Sequence, residues 1–181
     1  MNKDNQAIFG IVESRAEAEQ VIAELDAARF KMHDVSVLLP YEGAVAGAGG
    51  GAGGGAGGGV AVGATLGLLA GVGALVIPGI GPLLAVGPVF GVLGGAAVGV
   101  AVGSMAGALL GFGMPESQAK RYEGKVRDGR VLMSVHSIDG GQIDEVKRIF
   151  ARHGAVEVSV HDEENLTSTQ RFAAVVVPAS R

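Results

Sequence analysis

Four histidines, His33, His136, His153 and His161, are the side chains in this chain best suited to acid–base or metal chemistry. None stands at a helical i, i+4 or short chelating spacing with a second ligand, so each reads as a surface or strand residue. Ser134 and His136, two residues apart on a strand, share one face and keep a serine–histidine pair in view. No acid partner or nucleophile elbow accompanies them. Asp162, Glu163 and Glu164 form an acidic run, and adjacent carboxylates near a chain end rarely build a cation site. The absence of cysteine removes disulfides, thiolate zinc sites, iron–sulfur clusters and cysteine nucleophiles, and makes a reducing compartment the easier home. The glycine-rich stretch 49–59 follows a strand and matches G-x-G-x-x-G in several frames. However, no GK[ST] follows it and no acidic residue lies twenty positions on. We therefore expect no catalytic, cofactor-binding or metal residues, no cofactor, and no identifiable small-molecule ligand.

The elements that would position any such group are set by an uneven distribution of charge. Residues 1–42 hold four basic and eight acidic side chains, residues 116–181 hold ten of each, and the 73 residues from Gly43 to Pro115 hold none. An ordinary domain surface is about a quarter charged, so this block must face lipid or protein. No basic-then-apolar run opens the chain, so no cleavable signal is expected. The net charge of −4 argues against a nucleic-acid partner. The division is thus 1–42, 43–114, 115–161 and a tail, 162–181.

Within the block, glycine recurs every fourth residue: 43, 47, 51, 55, 59, 63, 67 and 71, then 79, then 87 through 111, with Leu75 and Leu83 filling the gaps. Four residues slightly exceed one helical turn, so such glycines form a slowly drifting groove that lets a second backbone approach closely. Val60–Ile77 and Val89–Phe112 are apolar runs of 18 and 24 residues, long enough as helices for a ~30 Å hydrocarbon core. The intervening PGIGPLLAVGP reads as the turn of a helical hairpin. Gly63, Gly67 and Gly71 on one helix would face Gly91, Gly95, Gly99, Gly103 and Gly107 as the packing and oligomer interface. Lys120, Arg121, Lys125, Arg127 and Arg130 follow the second run as a membrane-surface cluster and mark that side as cytoplasmic.

The charged flanks read as one domain. Ala7–Val12 is an apolar strand, and Ser14-x-x-Glu17 is a capping box opening a helix to about Arg29. That helix buries Ala18, Val21, Ile22, Leu25 and Ala28. Val35, Val37 and Leu39 alternate as a strand. Beyond the block, Pro115 opens a short charged helix that Gly129 stops. Val131, Met133 and Val135 alternate as a third strand. Asp139 caps a helix with the face Ile143, Val146, Ile149 and Phe150, ending at Gly154, and Val156, Val158 and Val160 alternate as a fourth strand. The expected fold class is α+β: a ferredoxin-like βαββαβ sandwich with one helical face, carrying the glycine-rich α-helical hairpin between its second and third strands. Pairing of those strands would bring Leu39 and Val131 together, so the insert leaves and returns at one point. The VVV run near the C-terminus either adds to a sheet edge of its own or a neighbouring subunit, or remains a free terminal segment.

AIFGIVESRAEAEQVIAELDAARF, DVSVLLP, ALVIPGIGP and MPESQAKRYEGKVRDGRVLMSVHS together resemble the bacterial heat-induced stress protein (general stress protein, YflT-like) domain family, over roughly Gln6 to Val160. The most specific pieces are VIPGIGP and the segment with Pro115, Ala119 to Glu123, Val126, Arg127 and Gly129. The resemblance implies a non-enzymatic, stress-associated protein with a glycine-rich hairpin, and carries no catalytic residues. The expected function is a stress-associated membrane-hairpin protein of the cytoplasmic membrane. Both flanks would be cytoplasmic, and it would self-assemble through its glycine-zipper helices. The alternative is a cytoplasmic self-assembling shell or filament in which the hairpins bury one another.

Overall fold

Every residue from Ala7 to Val12 is buried, although alternate side chains of a strand point to opposite faces. A strand buried on both sides needs cover on both sides, and the computed structural model supplies it with two helical layers around one sheet. The structure describes residues 6–40, 72–77, 81–87, 90, 105–111, 114–138 and 140–162. It has a mixed α+β fold.

The elements run β1 (Gln6–Val12), α1 (Arg15–Ala27), a 3-10 turn (Met32–Asp34), β2 (Val35–Pro40), β3 (Val72–Ile77), β4 (Gly81–Val86), α2 (Met105–Gly111), α3 (Glu116–Arg127), β5 (Val131–Ile138), α4 (Gly140–Arg152) and β6 (Val156–Asp162). All strand pairs are antiparallel, in the order β3-β4-β2-β5-β1-β6. Leu38 pairs with Leu132, which sets Leu39 and Val131 at the same end of the sheet, as expected.

Local chemistry accounts for the element boundaries. At the start of α1 the Ser14 hydroxyl accepts from the Glu17 amide at 3.2 Å, and the Glu17 carboxylate accepts from the Glu13 amide at 2.8 Å. Two amides with no partner inside the helix are thereby satisfied. Ala18, Val21, Ile22 and Leu25 form the buried face, as their spacing requires, whereas Ala28 is exposed. Gly129 and Gly154 follow α3 and α4 with φ of 92° and 67°, the left-handed stops their positions predict. Asp139, the expected cap of α4, lies outside the described residues.

On one face, Ile8, Val12, Val35, Val37, Leu39, Leu84, Val86, Val131, Met133 and Val135 pack under α1 and α4. On the other, Ala7, Phe9, Ile11, Leu38, Leu83, Ala85 and Leu132 pack under Phe90, α2 and α3. The single helical face expected from the sequence is therefore corrected to two. α3 is not a mere link, because it buries Ala119, Tyr122 and Val126 against the second face.

The uncharged block also departs from its expected form. Val72–Ile77, assigned above to the end of the first helical run, is strand β3, and Gly81–Val86, assigned to the turn, is strand β4. The chain does reverse at PGIGP, but between strands: Ile77 pairs with Gly81 and Val72 with Val86. The physical reason lies in the period. Four is a multiple of the strand repeat of two, so a four-residue glycine frame fits one face of a strand with no drift at all, and does not by itself specify a helix. Val72, Val76 and Ile77 then favour strand through their branched Cβ atoms. No helix among the described residues is long and apolar enough to cross a membrane. Of the second run, Met105–Gly111 is helical but short, with Met105, Ala106 and Leu109 buried in the protein.

Candidate functional site

Of the eight interface glycines, Gly63, Gly67, Gly71, Gly91, Gly95, Gly99 and Gly103 lie outside the described residues. Gly107 is in α2 and exposed. The described ends of the block show how it joins the domain. β4 attaches to β2 through the pairs Val37 with Val86 and Pro40 with Leu83, so the insert widens the sheet by two strands. β3, with the sequence VGALVI, becomes one sheet edge, and β6 is the other. β4 is followed by Gly87, whose φ is 92°. A Cβ there would stand 2.2 Å from the Val35 carbonyl oxygen, so only glycine lets the chain turn so close to β2.

The five basic residues are largely neutralised within the domain. Lys120 pairs with Glu116 at 2.6 Å, Arg127 with Glu123 at 2.9 Å, Arg121 with Glu157 at 3.4 Å and Arg130 with Glu13 at 3.5 Å. Only Lys125 has no carboxylate within ion-pair distance among the described residues. The hydrogen bond from Lys120, and then its charge, hold the Glu116 carboxyl below the usual carboxylate range, and the hydrogen bond to Glu116, and then its charge, hold the Lys120 ammonium above the usual lysine value. Both groups are fully exposed, and such a pair contributes little to stability. Four internal pairs leave this helix a weaker claim on an anionic lipid surface than the sequence suggests. Glu123 has a further role, because its Oε2 accepts from the Ala106 amide at 2.6 Å and so satisfies a free amide in the first turn of α2. A contact seventeen residues apart leaves no periodic trace in the sequence.

Ser134 and His136 do not form a dyad. Ser134 is fully buried, in a row with Ser36 and Phe9 on the neighbouring strands, and its hydroxyl has no hydrogen-bond partner among the described residues. The His136 Nδ1 donates to the Asp34 carbonyl at 2.7 Å, and its Nε2 stands 4.0 Å from the Asp34 carboxylate. His33 lies 3.2 Å from that same carboxylate. His153 meets Glu24 at 2.6 Å, joining the end of α4 to α1. Among the described residues no group of three or more His, Asp or Glu side chains is placed to hold a metal ion. Asp162 ends β6 opposite Gln6, while Glu163 and Glu164 lie outside the described residues.

The polar cluster that the structure does assemble was not visible in the sequence. Tyr122, fully buried on α3, donates its hydroxyl to the Glu157 carbonyl and stands 2.8 Å from the Ser159 hydroxyl. Gln118 donates to the same phenol at 3.4 Å, and Ser159 stands 3.0 Å from the His161 Nε2. His161 meets the Phe9 ring edge-on at 5.7 Å between centroids. Burial pushes the phenol pKa up, partly offset by the hydrogen bond from Ser159. Glu157 sits where β6 bulges: Ser159 pairs with Phe9 and Val156 with Ile11, leaving two residues opposite Gly10, and Glu157 has φ 55°. The chain Tyr122–Ser159–His161 thus anchors α3 to the sheet edge and holds a strained backbone in place. Its donors and acceptors are spent on one another, which suits a structural tie.

No protein-family model matches this chain, and no curated protein or solved structure shows significant similarity to it.

Proposed function

We propose that this chain is a non-enzymatic, self-assembling protein, stress-associated as its sequence resemblance implies. It is built on a ferredoxin-like core whose uncharged, glycine-repeat block provides the contact between copies. The strand order β2-β5-β1-β6, with α1 and α4 on one face, supports the ferredoxin-like plan; β3, β4, α2 and α3 are additions to it.

One observation carries the assembly reading. Where the uncharged block is described with its side chains, most of its large apolar groups turn inward: Leu83, Val86, Phe90, Met105 and Leu109 are fully buried in the domain, and Leu110, 43% exposed, is the exception. The block is protein-core material there, and its remaining residues carry no charge with which to face water. Exposed on a monomer they would exceed the few hundred square ångströms of apolar patch that single proteins tolerate, so copies would cover one another. The glycine frame, on one face in helix or strand alike, would let backbones meet closely.

A second reading keeps a lipid bilayer as the partner, with the block attached to the cytoplasmic membrane and both flanks cytoplasmic. The 73 uncharged residues favour it. Expression without detergent, a carbonate wash of the membranes and sizing of the fraction that holds the chain separate the two. A large, uniform, detergent-free particle supports assembly through protein contacts. Retention in the washed pellet, with release by detergent alone, supports the bilayer.

A further inference from the structure

Strand β6 is a sheet edge, and among the described residues nothing pairs with its outer side. It also holds two of the three large apolar side chains exposed among those residues, Val156 at 41% and Val158 at 38%. The bulge at Glu157 puts these two valines on opposite faces of the sheet. Val156 pairs with Ile11, which belongs to the face under α2 and α3. Val158 lies beside Gly10 on the face that carries Phe150, its Cγ2 being 3.6 Å from where a Gly10 Cβ would stand. An occupant laid on either face would cover only one of them. A strand laid along the edge flanks both, and satisfies the outer amides and carbonyls of β6 as well.

We propose that the occupant is this chain's own C-terminal segment, Phe172–Val177 (FAAVVV), returning antiparallel to β6 as a seventh strand. The chain leaves β6 at Asp162 and continues for 19 residues beyond it. The first nine, 163–171, are polar or charged apart from one leucine. The next six carry no charge and include three valines, and Pro178 follows them. Hairpin connections usually need only two to five residues, so a nine-residue return is unstrained. Six residues of strand span about 20 Å, close to the length of β6. Branched side chains suit such an edge position, and the proline terminates it. This proposal stands apart from the assembly reading, because it concerns contacts within one chain.

The chain has no cysteine, which makes a crosslinking test clean. Val158→Cys is combined in turn with Val175→Cys, Val176→Cys and Val177→Cys in the full chain, oxidised mildly, and mapped by peptide mass. A disulfide within one chain in at least one combination is the expected result. A disulfide only between chains would make a second copy the occupant and overturn the proposal, as would failure of every combination to crosslink. A second measurement uses no substitution in β6. Amide exchange at Val158–Asp162 should be at least about tenfold slower in the full chain than in a chain ending at Gln170, and equal rates would overturn the proposal.

Discussion

The Tyr122 hydroxyl donates to the main-chain carbonyl of Glu157, the residue at which β6 passes through the left-handed region. One buried side chain on α3 therefore holds a strained turn of backbone on an edge strand and closes the second helical layer onto the sheet. Replacing Tyr122 by Phe keeps the packing and removes the donor. We expect a loss of about 1–3 kcal/mol, the cost of leaving a part-buried acceptor unpaired. Urea titration measures it, and an unchanged midpoint would mean that the bulge does not depend on the phenol.

The same phenol gives the fold an alkaline limit. Burial raises the Tyr122 pKa above the ordinary value of about 10, so at high pH the unfolded chain loses this proton before the folded chain does. The folded state then binds more protons, and stability falls as pH rises. The contribution is whole below about pH 10 and is lost between there and the folded-state pKa. Stability measured from neutral pH upward should decline less steeply in Tyr122→Phe than in the parent. Parallel curves would rule out Tyr122 as the source.

Gly10 is fixed by its neighbour across the core. A Cβ there would lie 2.7 Å from two ring carbons of Phe150, a ring that is itself fully buried. Gly10→Ala should destabilise the domain by about 1–3 kcal/mol through overpacking, with partial recovery on adding Phe150→Leu. Additive effects in the double variant would show that the two positions do not meet.

Glu123 ties α2 to α3 through the Ala106 amide. Glu123→Ala should weaken that attachment by about 0.5–2 kcal/mol, as loss of a helix cap does, and expose residues 105–111 to limited proteolysis. Cleavage there at the parental rate would mean that Met105, Ala106 and Leu109 hold α2 without the cap.

Much of the core was legible because its signals are local and redundant. Ala18, Val21, Ile22 and Leu25 repeat at helical spacing behind a capping box, and Gly129 and Gly154 stop their helices. The second helical layer had a signal that alternation obscured: AIFGIV is a continuous apolar run and VSVLL is broken by Ser36 alone, the mark of strands buried on both faces. β3 and β4 were misread because a four-residue glycine frame fits strand and helix alike, and only branched side chains and segment length separate them. The Tyr122 cluster and the Glu123 cap join residues 17 to 37 positions apart, through contacts that exist only once the sheet has formed.

The account rests on copies meeting through the uncharged block, and the most direct measurement is the mass of the native particle for two chains. The full chain, extracted without detergent and sized by light scattering, should be a uniform particle of many times 18.1 kDa. Gly99→Leu combined with Gly103→Leu should reduce it to single chains with the circular dichroism of the core unchanged. A parental particle of unaltered mass in the double variant, or a monomeric parent, would contradict assembly through the glycine repeat.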